Sequence, residues 1–100
     1  MAIIHEILKE EIERLEELKE LYNKKISELP KGSIQEKDRN GKLYAYRAYR
    51  KGKKVKFNYI GKVSSDEVKK MKEQIKNRKE YEKKIKKVKA DIKEIKKSLK

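Results

Sequence analysis

The stretch GKLYAYRAYRKGKKVKFNYIGK, residues 41–62, decides the fold. In both halves, aromatic or apolar side chains alternate with polar ones, which is the period-2 pattern of β-strands. With Lys51-Gly52 as the two central residues of a type I′ turn, Tyr46 lies opposite Phe57. The stretch therefore predicts a two-stranded antiparallel hairpin.

This register sorts the side chains between two faces, because neighbouring residues of a strand point to opposite sides. One face is predicted to be aromatic and apolar, with Tyr44, Tyr46, Ala48, Val55, Phe57 and Tyr59. The opposite face is predicted to be basic, with Arg47, Tyr49, Lys54 and Lys56 beside Leu43, Ala45, Asn58 and Ile60. We expect the aromatic face to pack on the helix ends near Leu29, Val63 and Val68, with the basic face in solvent.

A third strand is predicted before the hairpin, and the resulting β-meander covers residues 33–61. Two turns could join this strand to the hairpin. One is a three-residue loop that ends in a G1 bulge at Gly41, and the other is a two-residue Asn40-Gly41 turn. The three-residue loop sets Ile34 opposite Tyr46 on the aromatic face, whereas the two-residue turn moves Ile34 to the basic face. Burial of Ile34 favours the three-residue loop.

Two amphipathic helices are predicted to flank the meander, over residues 3–28 and 65–99. The apolar stripe of the first helix recurs at spacings of three and four: Ile4, Leu8, Ile12, Leu15, Leu18, Tyr22, Ile26 and Leu29. Ile3, Ile7 and Leu21 lie off this stripe and are expected to contact the sheet or a second chain. The stripe of the second helix contains Val68, Met71, Ile75, Arg78, Tyr81, Ile85, Val88, Ile92, Ile95 and Leu99. Ser64 or Ser65 caps the second helix, and Ser64 fits a capping box.

The predicted fold class is α+β, in a single domain over residues 1–100. It is an elongated antiparallel helical hairpin, similar to a coiled coil, with a three-stranded antiparallel β-meander between the helices. At 1.5 Å per residue, the second helix exceeds the first by roughly 10 Å. This surplus predicts that Ile92, Ile95 and Leu99 lack an intrachain partner, which favours a homodimer through the helix stripes. Fraying of the helix end is the alternative.

Positive charge is concentrated in the meander and the second helix. The net charge is +14. Residues 1–29 hold five Lys and Arg against eight Glu, residues 30–62 hold eleven against two acidic residues, and residues 63–100 hold fifteen against seven. A basic surface of this kind attracts a polyanion. The charge distribution therefore predicts nucleic acid as the partner.

Several classes of site are not expected. The chain has no Cys, so disulfides and thiolate metal sites are excluded, and a reducing, cytoplasmic location is predicted. His5 is the single histidine, which is too few for a zinc site or a hydrolytic triad. We therefore expect no metal, no cofactor and no enzymatic activity. No apolar run approaches ~18 residues and the N-terminus lacks signal-peptide features, so no membrane association is expected.

The pattern LPKGS…GK.Y.Y..YR.GKKVK..YIGK, which begins at Leu29 and ends at Lys62, resembles the core of a family of small uncharacterised archaeal and bacterial proteins. In that family the core also lies between two charged helices, and the likeness covers essentially the whole chain. The family has no established activity, so this resemblance implies a fold without a function. The shorter run from Tyr49 to Lys62 is also similar to a hairpin near the N-terminus of some transposases, which implies nucleic-acid binding.

The sequence thus predicts a non-enzymatic nucleic-acid-binding protein. Its predicted site residues are Arg47, Tyr49, Arg50, Lys51, Lys53, Lys54 and Lys56. A two-stranded ribbon fits the major groove of B-DNA, and Arg47 and Arg50 are the residues expected to reach base edges. Because Tyr49 alone could stack on a base from the basic face, duplex DNA is favoured over RNA or a single strand. The alternative is a coiled-coil protein-interaction module that self-associates or binds an acidic protein.

Overall fold

A computed structural model describes residues 2–99. Its elements are α1 (Ala2–Glu28), β1 (Ser33–Arg39), β2 (Lys42–Lys51), β3 (Lys54–Lys62) and α2 (Asp66–Ser98). The strands form one antiparallel sheet in the order β1-β2-β3. The predicted α+β class, with two helices flanking a three-stranded sheet, is confirmed, and each predicted helix boundary lies within one residue of the observed one.

The chain divides into two compact units. The helical unit contains α1 and the part of α2 that begins at Lys79. The sheet unit, Leu29–Arg78, contains the three strands and the first turns of α2. The α2 helix is continuous through the division, since it runs unbroken from Asp66 to Ser98.

In the helical unit, the two helices run antiparallel around a small apolar core. This core consists of Leu15, Val88 and Ile92, with Leu18, Tyr22 and Ile95 packed against it. Tyr22 and Tyr81 bring their ring centroids to 5.7 Å, and Lys96 Nζ lies 3.6 Å from Glu16 Oε1. These contacts follow the two predicted stripes, because only the apolar side of each helix can be covered by the other.

The prediction that Ile92, Ile95 and Leu99 lack an intrachain partner is wrong. Ile92 is 7% exposed and belongs to the core cluster, Ile95 packs against that cluster, and Leu99 is half-buried. The helices differ in total length, but the first turns of α2 belong to the sheet unit. The segment of α2 that faces α1 is therefore shorter than the whole helix and has no surplus length. These three residues therefore do not form an uncovered stripe that would support the predicted homodimer.

The turn between β1 and β2 is the two-residue Asn40-Gly41 turn, so the predicted three-residue loop is wrong. Asn40 has a φ of 55° and Gly41 a φ of 80°, the pair of positive values that a type I′ turn requires. Asn and Gly tolerate this conformation, and the Gly41 N–H donates to Asp38 Oδ1 at 2.9 Å. As a result Ile34 lies opposite Arg47 instead of Tyr46, and every side chain of β1 is on the face opposite to the predicted one.

The turn between β2 and β3 also differs, but without changing the faces. Its central residues are Gly52 and Lys53, and the positive φ falls on Gly52 alone, at 64°. A type I′ turn at Lys51-Gly52 would have forced a lysine into the left-handed region, which is unfavourable for a residue with a Cβ. The register moves by two residues, so Tyr46 lies opposite Tyr59. Because a shift of two preserves alternation, the predicted sharing of one face by the aromatic residues is confirmed.

The face that α2 covers is the one opposite to Tyr44, Tyr46, Phe57 and Tyr59. Glu36 lies opposite Ala45 in the sheet, and Lys72 Nζ of α2 reaches Glu36 Oε1 at 3.4 Å. Ala45 and Val68 are both fully buried. We call this side the inner face and the opposite side the outer face. The predicted burial of the aromatic face is therefore wrong.

Small side chains explain why the inner face is the covered one. Ala45 lies opposite Gly61, and a Cβ added at Gly61 would come within 3.1 Å of Ser65 Oγ at the start of α2. Ser65 also caps α2, because its Oγ accepts the Val68 N–H at 3.4 Å, so the capping box with Ser64 does not form. The helix can approach the strands closely only where large side chains are missing.

Candidate nucleic-acid interface

The outer face carries a row of aromatic rings. Alternation along β2 and β3 places Tyr44, Tyr46, Phe57 and Tyr59 there, and we call these four residues the aromatic row. The Tyr59 ring centroid lies 5.4 Å from that of Tyr46 and 6.1 Å from that of Tyr44. Phe57 is 51% exposed and Tyr59 is 59% exposed. Tyr44 and Tyr46 are partly buried. The exposed rings make this face a candidate interaction surface.

Five cations share this face with the aromatic row. They are Lys37 and Arg39 of β1, Lys42 and Arg50 of β2, and Lys62 of β3. The acidic residues of β1, Glu36 and Asp38, are on the inner face, where Glu36 contacts Lys72 and Asp38 accepts the turn N–H. In the three strands as the structure describes them, no carboxylate lies on the outer face. The outer face therefore has an uncompensated positive charge.

Two of these cations cover part of the aromatic row. Lys37 Nζ lies 5.1 Å from the ring centroid of Tyr46 and 4.6 Å from that of Phe57. Arg39 Cζ lies 5.7 Å from the Tyr46 centroid. Each such contact is worth about 0.5–1 kcal/mol at an exposed site. Among the described residues, no cation lies over the rings of Tyr44, which is partly buried, or Tyr59, which is exposed. We call these two the uncovered rings, because no cation covers them.

An open groove borders the uncovered rings. Its volume is ≈ 550 Å³, and it is lined by Arg39, Asn40, Lys42, Tyr44, Tyr46 and Tyr59. We call it the tyrosine groove. A second open groove of ≈ 570 Å³ has Gln35, Lys37, Arg50 and Phe57 among its lining residues. Both volumes fall within the range of ordinary ligand sites, about 300–1,000 Å³. The outer face is therefore a cationic surface with two shallow grooves, and Lys37 lines the second of them.

The seven site residues predicted from the sequence do not lie on one face. Arg47, Tyr49, Lys51, Lys54 and Lys56 belong to the inner side, Arg50 belongs to the outer face, and Lys53 is in the turn. Arg47 makes two contacts within the chain. Its guanidinium donates to the Lys31 carbonyl oxygen at 2.8 Å, and its Cζ lies 4.2 Å from the Tyr49 ring centroid. The predicted placement of Arg47, Tyr49, Lys54 and Lys56 on the face opposite the aromatic residues is confirmed, and their role in binding stays a prediction. Lys54 and Lys56 are exposed.

Sequence reasoning missed four of the five outer-face cations, namely Lys37, Arg39, Lys42 and Lys62. The signal was present in the Asn40-Gly41 dipeptide, which strongly favours a two-residue turn. Taking that turn would have placed Lys37 and Arg39 beside Tyr46. The three-residue loop was predicted instead because it would bury Ile34, although Ile34 is only half-buried in the structure.

A third groove, lined mainly by lysines, lies on the helical unit. It has a volume of ≈ 490 Å³ and is lined by Lys19, Lys89, Ile92, Lys93, Lys96 and Lys97. It lacks an aromatic lining residue, and Lys96 pairs with Glu16. Lysines at such spacings occur on most solvated helices, so this groove is the weaker candidate.

Over residues 2–99, no three His, Cys, Asp or Glu side chains lie close enough together to hold a metal ion. Neither described helix has a stretch apolar enough to cross a membrane.

Comparisons with known proteins give a family but no activity. A family model described as a domain of unknown function, DUF6788, matches residues 6–70. The match includes the whole sheet and the start of α2, and with them both faces described above. Curated proteins and solved structures gave no significant match.

Proposed function

We propose, from the premise that this chain belongs to the DUF6788 family of unknown function, that it is a non-enzymatic nucleic-acid-binding protein whose outer face holds the phosphate backbone. The observation that carries the proposal is the composition of that face: five cations and four aromatic rings, with no carboxylate on any of the three described strands. Cations bind phosphates and rings contact bases, so the two groups together suit a nucleic acid better than a simple anion.

The outer face is preferred to the inner one for three reasons. Arg47, the inner-face residue expected to reach a base edge, is held by the Lys31 carbonyl and the Tyr49 ring. The inner face also carries both acidic residues of β1, which would repel a phosphate. Finally, α2 covers part of it, as the Lys72–Glu36 contact shows. Lys54 and Lys56 remain available to extend the footprint near the turn.

A salt titration tests the proposal. Fluorescence anisotropy with a labelled 20-nucleotide oligomer, as a single strand and as a duplex, should detect binding at low salt. If all five outer-face cations contact phosphates, the slope of log affinity against log salt should be about −3.5 for a single strand and about −4.5 for a duplex. Binding to neither oligomer at low salt would refute the proposal.

A pair of matched double variants locates the contact. Arg39→Gln with Lys42→Gln removes two outer-face cations, and Lys54→Gln with Lys56→Gln removes two inner-face cations from the same sheet. The first pair should reduce the magnitude of the salt slope by roughly 1.4 to 1.8, and the second should change it less. An equal or larger change in the inner-face variant would move the contact away from the outer face.

A protein-interaction role is the second candidate, and exposed apolar residues on α1 favour it. Ile3, Ile4 and Ile7 are 71%, 54% and 58% exposed, and Leu21 is 49% exposed. Such residues at the start of a helix could join a second copy of this chain, which would form a homodimer through α1 instead of through Ile92, Ile95 and Leu99. Light scattering across a concentration series tests this. Ile3→Lys with Ile7→Lys should abolish any dimer that uses this surface.

A further inference from the structure

We infer that the nucleic acid bound by the outer face is unpaired, and that its bases stack first on Tyr44 and Tyr59 in the tyrosine groove. This inference rests on the proposed function and adds the class of partner to it. In a duplex the bases are stacked on one another, so a protein surface meets mainly phosphates, sugars and base edges. A ring on the protein can stack on a base only when that base is unpaired.

The exposure of the aromatic row separates the two possibilities. A surface that held only a duplex backbone would need the five cations and would gain nothing from ring faces in solvent. Phe57 and Tyr59 are nevertheless more than half exposed, at 51% and 59%. Stacking of a base on such a ring contributes about 1–3 kcal/mol. The rings, rather than the cations, therefore point to single strands.

The positions of the cations determine which rings a base reaches first. Lys37 Nζ lies over Tyr46 and Phe57, so a base that stacks on these rings competes with the ammonium group. Tyr44 and Tyr59 carry no such cover among the described residues, and Arg39 and Lys42 line the same groove. A base can enter there while its flanking phosphates meet the two cations. Displacement of Lys37 then frees a third cation for a phosphate and two further rings for the next base.

The test compares four probes of equal length: single-stranded DNA, single-stranded RNA, duplex DNA, and an abasic single strand with the same number of phosphates. The inference expects both base-containing single strands to bind at least tenfold more tightly than the abasic strand. It also expects them to bind more tightly than the duplex at the same salt concentration. The DNA and RNA arms identify which sugar is preferred.

Ring variants supply a second readout. Tyr44→Leu with Tyr59→Leu keeps apolar side chains and removes both rings, so it should lower single-strand affinity by about tenfold or more while changing duplex affinity little. Tyr44→Phe with Tyr59→Phe keeps the rings and should retain most of the affinity. Val55→Leu, on the same face at 52% exposure, is the matched control. Circular dichroism verifies that each variant is folded.

A fluorescent variant reports stacking directly. The chain contains no Trp, so Tyr59→Trp introduces a single indole whose emission a stacked base should quench. Quenching by the single strands and not by the abasic strand is expected. Equal affinity for the abasic and base-containing strands, or tighter binding to the duplex, would overturn the inference and leave the proposed function intact. Failure of all four probes to bind would refute the proposed function itself.

Discussion

The two faces of the sheet are built from the same three strands but from opposite kinds of side chain. On the inner face, small residues such as Ala45 and Gly61 lie opposite each other, and Ala45 is fully buried. On the outer face, Phe57 and Tyr59 are large, apolar in their rings, and more than half exposed. Burial on this sheet therefore follows how closely α2 can approach, not the hydrophobicity of the side chains.

The same contrast holds for charge. Three of the inner-face charges have partners: Glu36 meets Lys72, Asp38 accepts the Gly41 N–H, and Arg47 donates to the Lys31 carbonyl. Lys51, Lys54 and Lys56, near the β2–β3 turn, are exposed. On the outer face, the contacts of Lys37 and Arg39 are with rings, not carboxylates. The difference between the faces is therefore that both strand carboxylates lie on the inner one, which is why the outer face is the candidate binding surface.

The most damaging change should be Gly32→Ala, because it disturbs the backbone where the pairing of β1 with β2 begins. Gly32 has a φ of 109°, and an added Cβ would lie 2.1 Å from the Ala48 carbonyl oxygen, an overlap that a backbone atom cannot relieve. We expect a loss of more than ~3 kcal/mol in the free energy of unfolding, measured with urea. Gly52→Ala is the control, because nothing lies within 4 Å of its added Cβ and it suffers only the strain of a φ of 64°. Its loss should be about 1–2 kcal/mol. Equal losses would contradict the steric account.

Ala45→Leu and Ala48→Leu compare the two faces with one chemistry on one strand. Ala45 is fully buried on the inner face, so three added carbons overpack the contact with α2 and should lower stability by about 1–3 kcal/mol. Ala48 lies on the outer face opposite Phe57, and the same change there should stay within about 0.5 kcal/mol. Thermal and urea unfolding measure both. A larger effect at Ala48 would show that the faces have been assigned the wrong way round.

Lys37→Met tests how much the cation over the rings stabilises the free protein. The substitution keeps an unbranched chain and removes the charge above Tyr46 and Phe57, so we expect a loss of about 0.5–1 kcal/mol. Lys54→Met, on the inner side without a ring contact among the described residues, is the matched control and should be close to neutral. The difference in unfolding midpoint between the two variants is the relevant measurement. If it vanishes, Lys37 contributes no stability through the rings.

The smallest expected effect concerns the ion pair between the sheet and α2. Glu36 and Lys72 are both exposed and 3.4 Å apart, so Glu36→Gln should reduce stability by no more than about 0.5 kcal/mol. Added salt should make the variant and the natural protein more alike, because exposed pairs are screened. A loss above ~1 kcal/mol would mean that the ion pair, and not the small residues around Ala45, secures the inner face.

Much of the sheet could be predicted because strand alternation is local. The shift of the β2–β3 register by two residues left Tyr46 and Tyr59 on one face, as the sequence pattern requires. The β1–β2 register moved by one residue, and that single step transferred Lys37 and Arg39 to the aromatic side. The candidate site was therefore predicted in part: its rings followed from the pattern, whereas two of its five cations, Lys37 and Arg39, depended on one turn.

By itself, the sequence determined the two helices, the three strands, their order and the grouping of aromatic residues on one side of the sheet. Each of these depends on spacing along the chain and on a few residues, such as Gly52, whose backbone preferences act locally. Only the tertiary structure decided which side α2 covers. That choice depends on how closely the helix can approach Ala45, which is far from Val68 in the sequence. No local pattern encodes a distance between segments that meet only after folding.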